Sequence, residues 1–439
     1  MDYELIIIGS GPGGYRAAEY AARQGMQVLV IEADKAGGTC LNCGCIPTKA
    51  LCHDAELASL GVKKDFREVV ERKNTIVEQL RNGVDTLMHS PGITMIYGKA
   101  TFKDTHTISV NGEDYTAKNI IIATGSRSKI LPIEGFELPH VVTSTELLNI
   151  EHLPKRLCII GAGVIGMEFA SIFASFGCEV SVVEFLKECL PTMDGDIAKR
   201  LRKQLEKQGV KFYLQASVKA ITKDSVFFER KGKEESIDAD TVLVATGRAA
   251  NVEDLHLEAT GITCTKQGIA VNPDTFEVSL DLHSSSSSLP PSIYAIGDVN
   301  GRQMLAHAAT FQGYRAVNHI LGKQDSIRFD IMPAAVFTNP EAACVGPTEE
   351  QLKAEEKTFN VHKGYYRANG KALTMEATEG LVKLFTDEND KIIGCHILGA
   401  HAADMVQEVA ALMNREATFT ELRETIHIHP TLGEILQDL

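Results

Sequence analysis

Long apolar runs are absent from this sequence. No stretch of about 18 apolar residues occurs, so the sequence predicts no membrane-spanning helix. Neither a basic nor an apolar leader precedes the strand-like block Leu5-Ile6-Ile7-Ile8, so we expect a cytoplasmic protein, or a mature one whose leader has been removed. An excess of positive charge is also lacking, since 58 acidic residues outnumber 44 basic ones. The net charge of −14 argues against nucleic acid and anionic membranes as partners.

Cysteine is too sparse for a disulfide scaffold of the secreted kind. The ten cysteines are spread irregularly over 439 residues. Three of them, Cys40, Cys43 and Cys45, nevertheless lie within six residues. In a reducing compartment such a cluster suggests metal or redox chemistry. A structural zinc site would need a second ligand pair at a usable spacing, which the sequence lacks, so we predict no metal site.

Two segments of the chain share one pattern. Each has a buried strand, a turn of the form GxGxxG, an apolar helix and a second strand ending in glutamate. Glu32 follows Gly9, and Glu184 follows Gly161, by the same 23 residues. A later strand in each copy ends in Ala-Thr-Gly. One GxGxxG is weak evidence and could be an ordinary tight turn, but two in this context predict two dinucleotide-binding folds.

Each predicted fold would hold one cofactor. The glycines let the backbone approach a pyrophosphate at a helix N-terminus, and the acid accepts hydrogen bonds from ribose. Because the cysteine cluster follows the first copy, we assign FAD there, with the site residues Gly9, Gly11, Gly14 and Glu32. The second copy would then bind NAD through Gly161, Gly163, Val164, Ile165, Gly166 and Glu184. Glu184 would repel the 2′-phosphate of NADP, and no arginine follows it closely.

Helix geometry constrains the cysteine cluster without choosing a pair. Residues five apart in a helix lie about 8.6 Å from each other, and residues three apart about 5 Å. A disulfide needs Cα atoms at roughly 4.4–6.8 Å. A Cys40–Cys45 bond therefore requires a distorted helix or a loop, whereas Cys40–Cys43 fits a regular helix. Geometry alone leaves both pairs open.

A family resemblance is carried by the segment Cys-Leu-Asn-Cys-Gly-Cys-Ile-Pro-Thr-Lys, from Cys40 to Lys49. It resembles the active-site signature of the pyridine-nucleotide disulfide oxidoreductases, in the form used by dihydrolipoamide dehydrogenases. The resemblance extends over essentially the whole chain. It implies a redox disulfide between Cys40, the thiol that meets substrate, and Cys45, the thiol against the flavin. Cys43 stands where the family usually has an aliphatic residue, so a Cys40–Cys43 bond stays conceivable.

The same resemblance implies further site residues. Lys49 would lie beside the flavin and pair with Glu168, and Asp298 would hydrogen-bond the ribityl chain of FAD. The other expected FAD contacts are Gly38, Thr39, Gly98, Ala100, Ala123, Thr124, Gly125, Gly297, Ala306 and His307. The other expected NAD contacts are Val218 and Gly247.

The C-terminus supplies a candidate acid–base group. Thiol–disulfide exchange needs thiolates, and hence a base that works near neutral pH. His429, followed by Pro430, Thr431 and then Glu434, matches the family's His-Pro-Thr-x-x-Glu pair, and His427 is the other candidate. In the family this pair reaches the disulfide of the other subunit. The resemblance therefore implies a homodimer whose active sites each use two chains.

These features together predict an α/β fold with two Rossmann-like dinucleotide-binding domains, for FAD and NAD, and a C-terminal α+β dimerisation domain. The expected segments are 1–145 and 266–328 for FAD, 146–265 for NAD and 329–439 for dimerisation. The run from Ser284 to Ser288 reads as a low-complexity loop without chemistry.

The predicted activity is oxidation of dihydrolipoamide by NAD⁺ through the disulfide and FAD. The expected partners are the lipoyl-bearing subunits of 2-oxo-acid dehydrogenase or glycine-cleavage complexes. The alternatives are a glutathione-type or mercuric reductase, a flavin transhydrogenase or NADH oxidase, and a non-catalytic flavoprotein subunit. The acidic Glu184 and the absence of cysteine after Cys395 argue against the first group. The cysteine pair and His429–Glu434 argue against the others.

Overall fold

The computed structural model describes residues 1–279 and 292–439. The run from Ser284 to Ser288 lies outside the described residues. The strands are β1 Tyr3–Ile8, β2 Val28–Glu32, β3 Ile93–Tyr97, β4 Thr101–Phe102, β5 Thr107–Val110, β6 Glu113–Ile122, β7 Ser126–Ser128, β8 Val141–Val142, β9 Arg156–Ile160, β10 Glu179–Glu184, β11 Lys211–Leu214, β12 Ala216–Ile221, β13 Ser225–Arg230, β14 Lys233–Asp238, β15 Thr241–Val244, β16 Arg248–Ala250, β17 Ser292–Ala295, β18 Ala334–Val336, β19 Ala342–Val345, β20 Asn360–Tyr365, β21 Leu381–Thr386 and β22 Ile392–Leu398.

The helices are α1 Pro12–Arg23, α2 Gly38–Cys43, α3 Cys45–Ser59, α4 Phe66–Met88, α5 Ser144–Leu147, α6 Val164–Ser175, α7 Gly195–Lys207, α8 Ala306–Ile320, α9 Glu349–Ala354, α10 Gly370–Thr374, α11 Ala402–Asn414, α12 Phe419–Glu424 and α13 Glu434–Gln437. Short 3-10 turns lie at Leu257–Ala259, Gly297–Asn300 and Tyr366–Ala368. Within the described ranges, no helix is both long and apolar enough to cross a membrane.

The chain folds into two compact units. The first comprises Met1–Ala50, Glu71–Lys129 and Arg248–Ile327, and the second comprises Leu51–Val70, Ile130–Gly247 and Arg328–Leu439. The finer division into FAD, NAD and dimerisation segments stays a prediction.

The first unit is built on a parallel sheet. Its order is β3-β2-β1-β6, with β17 parallel to β6 and the antiparallel β5 and β4 continuing from the first half of β6. Nearly continuous apolar strands such as Leu5–Ile8 are buried, as expected for a sheet covered on both faces. Helices α1 and α8 approach closely because Gly13 faces Gly313: a Cβ atom at Gly313 would lie 3.0 Å from the Gly13 carbonyl oxygen.

The second unit contains a matching parallel sheet of order β11-β10-β9-β15-β8. It also contains an antiparallel three-stranded sheet, β12-β13-β14, and an antiparallel five-stranded sheet, β18-β19-β22-β21-β20. Helix α11 packs on the last sheet through buried apolar residues, among them Val406 and Val409. This arrangement agrees with the predicted fold class of two Rossmann-like folds and a C-terminal α+β region.

A buried ionic cluster joins α7 to the C-terminal sheet. Lys383 on β21 is 1% exposed, and its Nζ lies 2.7 and 2.8 Å from the two carboxylate oxygens of Asp194. The same Nζ lies 2.7 Å from Glu349 and 3.2 Å from Asp196. Burial disfavours the charged form of Lys383, but its hydrogen bonds to the carboxylates of Asp194 and Glu349 outweigh burial and raise the pKa of Lys383. Asp194 also caps α7 by accepting the N–H of Asp196.

Candidate active site

The first glycine turn lies at the carboxyl ends of β1 and β6. Gly9 has φ +101°, and a Cβ atom there would lie 2.5 Å from the Ala123 carbonyl oxygen. A Cβ at Gly14 would overlap the Gly9 carbonyl oxygen, because α1 starts directly against the turn. At Gly11, by contrast, a Cβ would meet nothing within 4 Å. The turn thus leaves open space at the helix N-terminus, where a phosphate would bind.

The second turn repeats this geometry at β9, β15 and α6. Gly161 has φ +106°, and a Cβ there would lie 2.5 Å from the Ala245 carbonyl oxygen. A Cβ at Gly166 would overlap the Gly161 carbonyl oxygen, and one at Gly163 would meet nothing within 4 Å. The two turns therefore impose the same steric demands, as the paired sequence pattern predicts.

The two acids are also held alike. Glu32 accepts the backbone N–H of Ser10 at 2.8 Å and that of Asp34 at 2.9 Å. Glu184 accepts the corresponding N–H groups of Ala162 at 2.5 Å and Leu186 at 2.7 Å. Both glutamates are buried. The Ser10 hydroxyl adds a third hydrogen bond to Glu32 that the sequence analysis did not predict.

Unpartnered polar atoms provide a further test of fit for the two cofactors. Thr246 Oγ1, beside the second turn, is buried and has no hydrogen-bond partner among the described residues. Asn42 Oδ1, in the cysteine segment, is also buried and has no hydrogen-bond partner among the described residues. The Nδ2 of the same side chain donates to the carbonyls of Ala36 and Gly38. Buried polar atoms are rarely left without a partner. The open turns, the held acids and these atoms fit two bound dinucleotides.

The cysteine segment is broken into two helices. Helix α2 ends at Cys43, Gly44 leaves the helical conformation, and α3 begins at Cys45. A Cβ at Gly44 would lie 2.9 Å from the Thr39 carbonyl oxygen, so the break depends on glycine. The helix is thus distorted between Cys40 and Cys45, as that pairing requires.

The break brings Cys40 and Cys45 together. Their thiols are hydrogen-bonded, and this contact, followed by burial, raises the pKa of the Cys40 thiol. Each of the ten cysteines, all within the described ranges, is present as a thiol rather than in a disulfide. Cys43 lies three residues after Cys40 on α2 and is half-buried. The structure therefore brings together the two thiols that the family resemblance implied.

Asp298 lies in a small polar cluster of the first unit. Its carboxylate accepts the Ser126 hydroxyl at 2.5 Å and lies 3.7 Å from Arg248 Nε. Arg248 in turn donates to the Ser126 hydroxyl at 2.7 Å. The sequence pattern predicted neither partner. Both share one signal, since each directly follows the glycine of an Ala-Thr-Gly motif. The antiparallel pair β7–β16 brings the two segments together, with Arg248 opposite Ser128 and Ser126 opposite Ala250.

The remaining predicted contacts are placed as follows, and their roles stay predictions. Gly125 and Gly247 have positive φ, and a Cβ at either would meet nothing within 4 Å. Ala306 and His307 begin α8, with His307 exposed, and Val218 lies at a bulge in β12. Five other predicted contacts border the first sheet or its turns: Gly98, Ala100, Gly38, Thr39 and Gly297. Gly38 packs closely against Gly11, since a Cβ atom at Gly38 would lie 2.7 Å from the Gly11 Cα.

Glu168 is buried on α6, where it accepts the Phe337 N–H at 2.9 Å within the second unit. Lys49 is half-buried on α3 and belongs to the first unit. Their pairing stays a prediction, and so do the functional roles of all the residues above.

The C-terminal pair is formed in the structure. His429 Nδ1 lies 2.8 Å from Glu434 Oε1, and the other carboxylate oxygen accepts the Thr431 N–H at 2.8 Å. The Thr431 N–H first, and His429 second, lower the pKa of Glu434. His429 is 80% exposed. A carboxylate that stays ionised orients the imidazole and stabilises its protonated form, as an acid–base group requires.

Family models match almost the whole chain. The model described as pyridine nucleotide-disulphide oxidoreductase matches residues 3–313, and that of the dimerisation domain of the same family matches residues 332–439. The chain belongs to the pyridine nucleotide-disulphide oxidoreductase family. The predicted family and fold class are therefore confirmed, and the C-terminal region is a dimerisation domain by this match.

Relatives in this family include dihydrolipoyl dehydrogenases of similar length. The chain is 36% identical to that of Chlamydia muridarum, covering 99% of this chain and 95% of the relative. It is 38% identical to the mitochondrial dihydrolipoyl dehydrogenase 1 of Arabidopsis thaliana, covering 99% and 89%. Enzymes of this kind use FAD and NAD, so the predicted oxidoreductase class and cofactors are confirmed for the family.

A solved structure is also similar throughout. The HOCl-induced flavoprotein disulfide reductase RclA of Escherichia coli has a TM-score of 0.89 and 32% identity, covering 100% of this chain and 99% of that one. Flavoprotein disulfide chemistry is thus found on the same fold.

Proposed function

We propose that this protein is a dihydrolipoyl dehydrogenase that oxidises dihydrolipoamide to lipoamide with NAD⁺. The observation that carries the proposal is the contact between the Cys40 and Cys45 thiols across the helix break at Gly44. It is supported by full-length identity of 36–38% to dihydrolipoyl dehydrogenases.

The chain's own residues account for the thiol chemistry. In the oxidised enzyme, a substrate thiolate attacks Cys40 Sγ, and the Cys40–Cys45 bond breaks to leave a Cys45 thiolate. The second substrate sulfur then attacks the mixed disulfide, which releases lipoamide and leaves two enzyme thiols. His429 accepts the proton that the substrate loses, and Glu434 stabilises the resulting imidazolium. When bound, FAD and NAD⁺ would accept the electron pair in turn.

The cofactors would be held by the two glycine turns. FAD is proposed to bind at Gly9, Gly11, Gly14 and Glu32. The family resemblance adds Asp298 and Lys49 as further contacts of FAD. NAD is proposed at Gly161, Gly163, Gly166 and Glu184. Glu184, fixed by two backbone N–H groups, would hydrogen-bond the ribose and repel a 2′-phosphate.

The proposed assembly is a homodimer in which His429 of one chain serves the cysteines of the other, because the family match includes a dimerisation domain. The proposed partners are lipoyl-bearing subunits of 2-oxo-acid dehydrogenase or glycine-cleavage complexes, and the proposed location is the cytoplasm.

A second candidate is a disulfide reductase that draws electrons from reduced nicotinamide. The similarity to the Escherichia coli flavoprotein disulfide reductase favours it, since that structure covers this chain completely. The same cysteines would serve both oxidation of a dithiol and reduction of a disulfide, because thiol–disulfide exchange is reversible.

Parallel rate measurements on the FAD-loaded protein separate these candidates. One assay contains dihydrolipoamide and NAD⁺, a second contains oxidised glutathione and NADPH, and a third contains NADH and oxygen. Turnover in the first assay at least about a hundredfold above the others is expected. Turnover mainly in the second or third would refute dihydrolipoamide as the substrate.

A further inference from the structure

A second histidine–carboxylate pair lies next to His429 and Glu434. His427 Nε2 lies 2.8 Å from Glu408 Oε1, and His427 Nδ1 lies 2.9 Å from the Thr425 carbonyl oxygen. The His427 side chain is only 7% exposed, in contrast to the exposed ring of His429. Because Glu408 is on α11, this pair fastens the C-terminal loop to a helix that packs on the sheet.

The contacts of His427 occupy both of its ring nitrogens. The Glu408 carboxylate and the Thr425 carbonyl oxygen therefore hold the ring from two sides. His429 differs, since only its Nδ1 contacts a carboxylate, and Nε2 is left for a substrate thiol.

The two pairs are also packed together. A Cβ at Gly433 would lie 3.2 Å from His427 Cδ2, so the ring lies against the residue that precedes Glu434. The charge of His427 also helps to lower the pKa of Glu434. On the other side of the loop, Asn369 Nδ2 donates to the Thr431 carbonyl at 3.0 Å. The loop is therefore fastened at two points, and His429 lies between them.

We propose that His427, held by Glu408, is a positioning residue for the acid–base pair His429–Glu434. It fixes the loop so that His429 Nδ1 stays on Glu434 while Nε2 meets substrate. The charged groups facing His427 are Glu408 from α11 and Glu434 from α13, with His429 on its own loop. This inference rests on the proposed function.

The test compares His427→Ala, His427→Gln and Glu408→Gln with the FAD-loaded wild type. Rates of dihydrolipoamide oxidation are measured from pH 5.5 to 9, together with NADH-dependent reduction of a one-electron dye, which needs no thiol exchange. The matched control is His401→Ala, because His401 is an exposed histidine of the same region, 3.6 Å from Asp404.

His427→Ala should lower dihydrolipoamide turnover by about ten- to a hundredfold, the scale expected for a misplaced catalytic group. Dye reduction should be unchanged. His427→Gln keeps a donor for Glu408, so it should recover part of the rate. The His401 control should match the wild type.

An unchanged rate and pH profile in His427→Ala would overturn the inference. Equal losses of dye and dihydrolipoamide turnover would also overturn it, because they would indicate general structural damage. A wild type without dihydrolipoamide turnover would instead refute the proposed function, and the positioning role with it.

Discussion

Lys383 is predicted to be one of the most sensitive single positions for stability in the second unit. Substitution Lys383→Met would keep the length of the side chain but remove a cation that contacts the buried Asp194. At an effective dielectric constant of about 20, the single charge pair of Lys383 and Asp194 at 2.7–2.8 Å is worth about 6 kcal/mol before desolvation is subtracted. Breaking a buried pair by removing one partner typically costs about 3–5 kcal/mol in net stability.

The measurement is urea or thermal unfolding of the FAD-loaded protein, followed by circular dichroism and flavin fluorescence. We expect Lys383→Met to lose about 3–5 kcal/mol, with little dependence on salt. Lys207→Met is the matched control, because Lys207 contacts Glu379 at 3.2 Å with both side chains more than 60% exposed. Exposed pairs are worth less than about 1 kcal/mol.

A second substitution tests the reason for the loss. Asp194→Asn removes the buried negative charge but retains a side chain that can cap α7. Added to Lys383→Met, it should restore part of the lost stability. Equally small losses of stability in Lys383→Met and Lys207→Met would refute the argument that Lys383 neutralises the buried charge of Asp194. A further loss of stability on adding Asp194→Asn to Lys383→Met would refute it as well.

Three other outcomes are expected. Cys45→Ser should retain FAD but lose dihydrolipoamide turnover by at least about a thousandfold, as when a nucleophile is removed, whereas Cys43→Ser should remain active; retained turnover in Cys45→Ser would point to Cys43 instead. Gly166→Ala should weaken NADH binding by at least about tenfold, a cost of 1.4 kcal/mol, with FAD content unchanged, because a Cβ there overlaps Gly161; isothermal titration and the flavin spectrum check this, and Gly83→Ala, where a Cβ meets nothing within 4 Å, is the control. Burial lowers the pKa of His396, so below about pH 6.5 the unfolded chain binds a proton that the folded chain does not bind. The free energy of unfolding should therefore fall as the pH drops from 7 to 5. In thermal unfolding, His396→Gln should make this dependence on pH weaker, and an equal dependence in the variant and the wild type would contradict the argument.

The dinucleotide folds could be predicted from the sequence because their signals are local. The predicted strand block Leu5–Ile8 forms the last four residues of β1, and the predicted helix after the glycine turn is α1. The glycine spacing reports a steric requirement between neighbouring segments, and the structure meets that requirement in the same way at Gly9 and Gly161.

Other features depend on contacts that no local pattern records. The three-stranded sheet β12-β13-β14 was not predicted, because its strands are short and largely polar, as in Lys233–Asp238. The partners of Asp298 lie far away in sequence, Ser126 by 172 residues. The buried position of Lys383 was likewise invisible, since a lone lysine in a strand is ordinarily read as exposed.

The helix break at Gly44 also separates the redox chemistry of the cysteines from the backbone hydrogen bonding of the helices. Because Cys40 ends up on one helix and Cys45 begins another, the sulfur pair can change its bonding while each helix keeps its own backbone hydrogen bonds. A single uninterrupted helix would have to unwind and rewind on every turnover. Because Gly44 has no side chain, the break between the two helices belongs to the folded structure. The free-energy cost of distorting the chain therefore arises once, during folding, and not in each turnover.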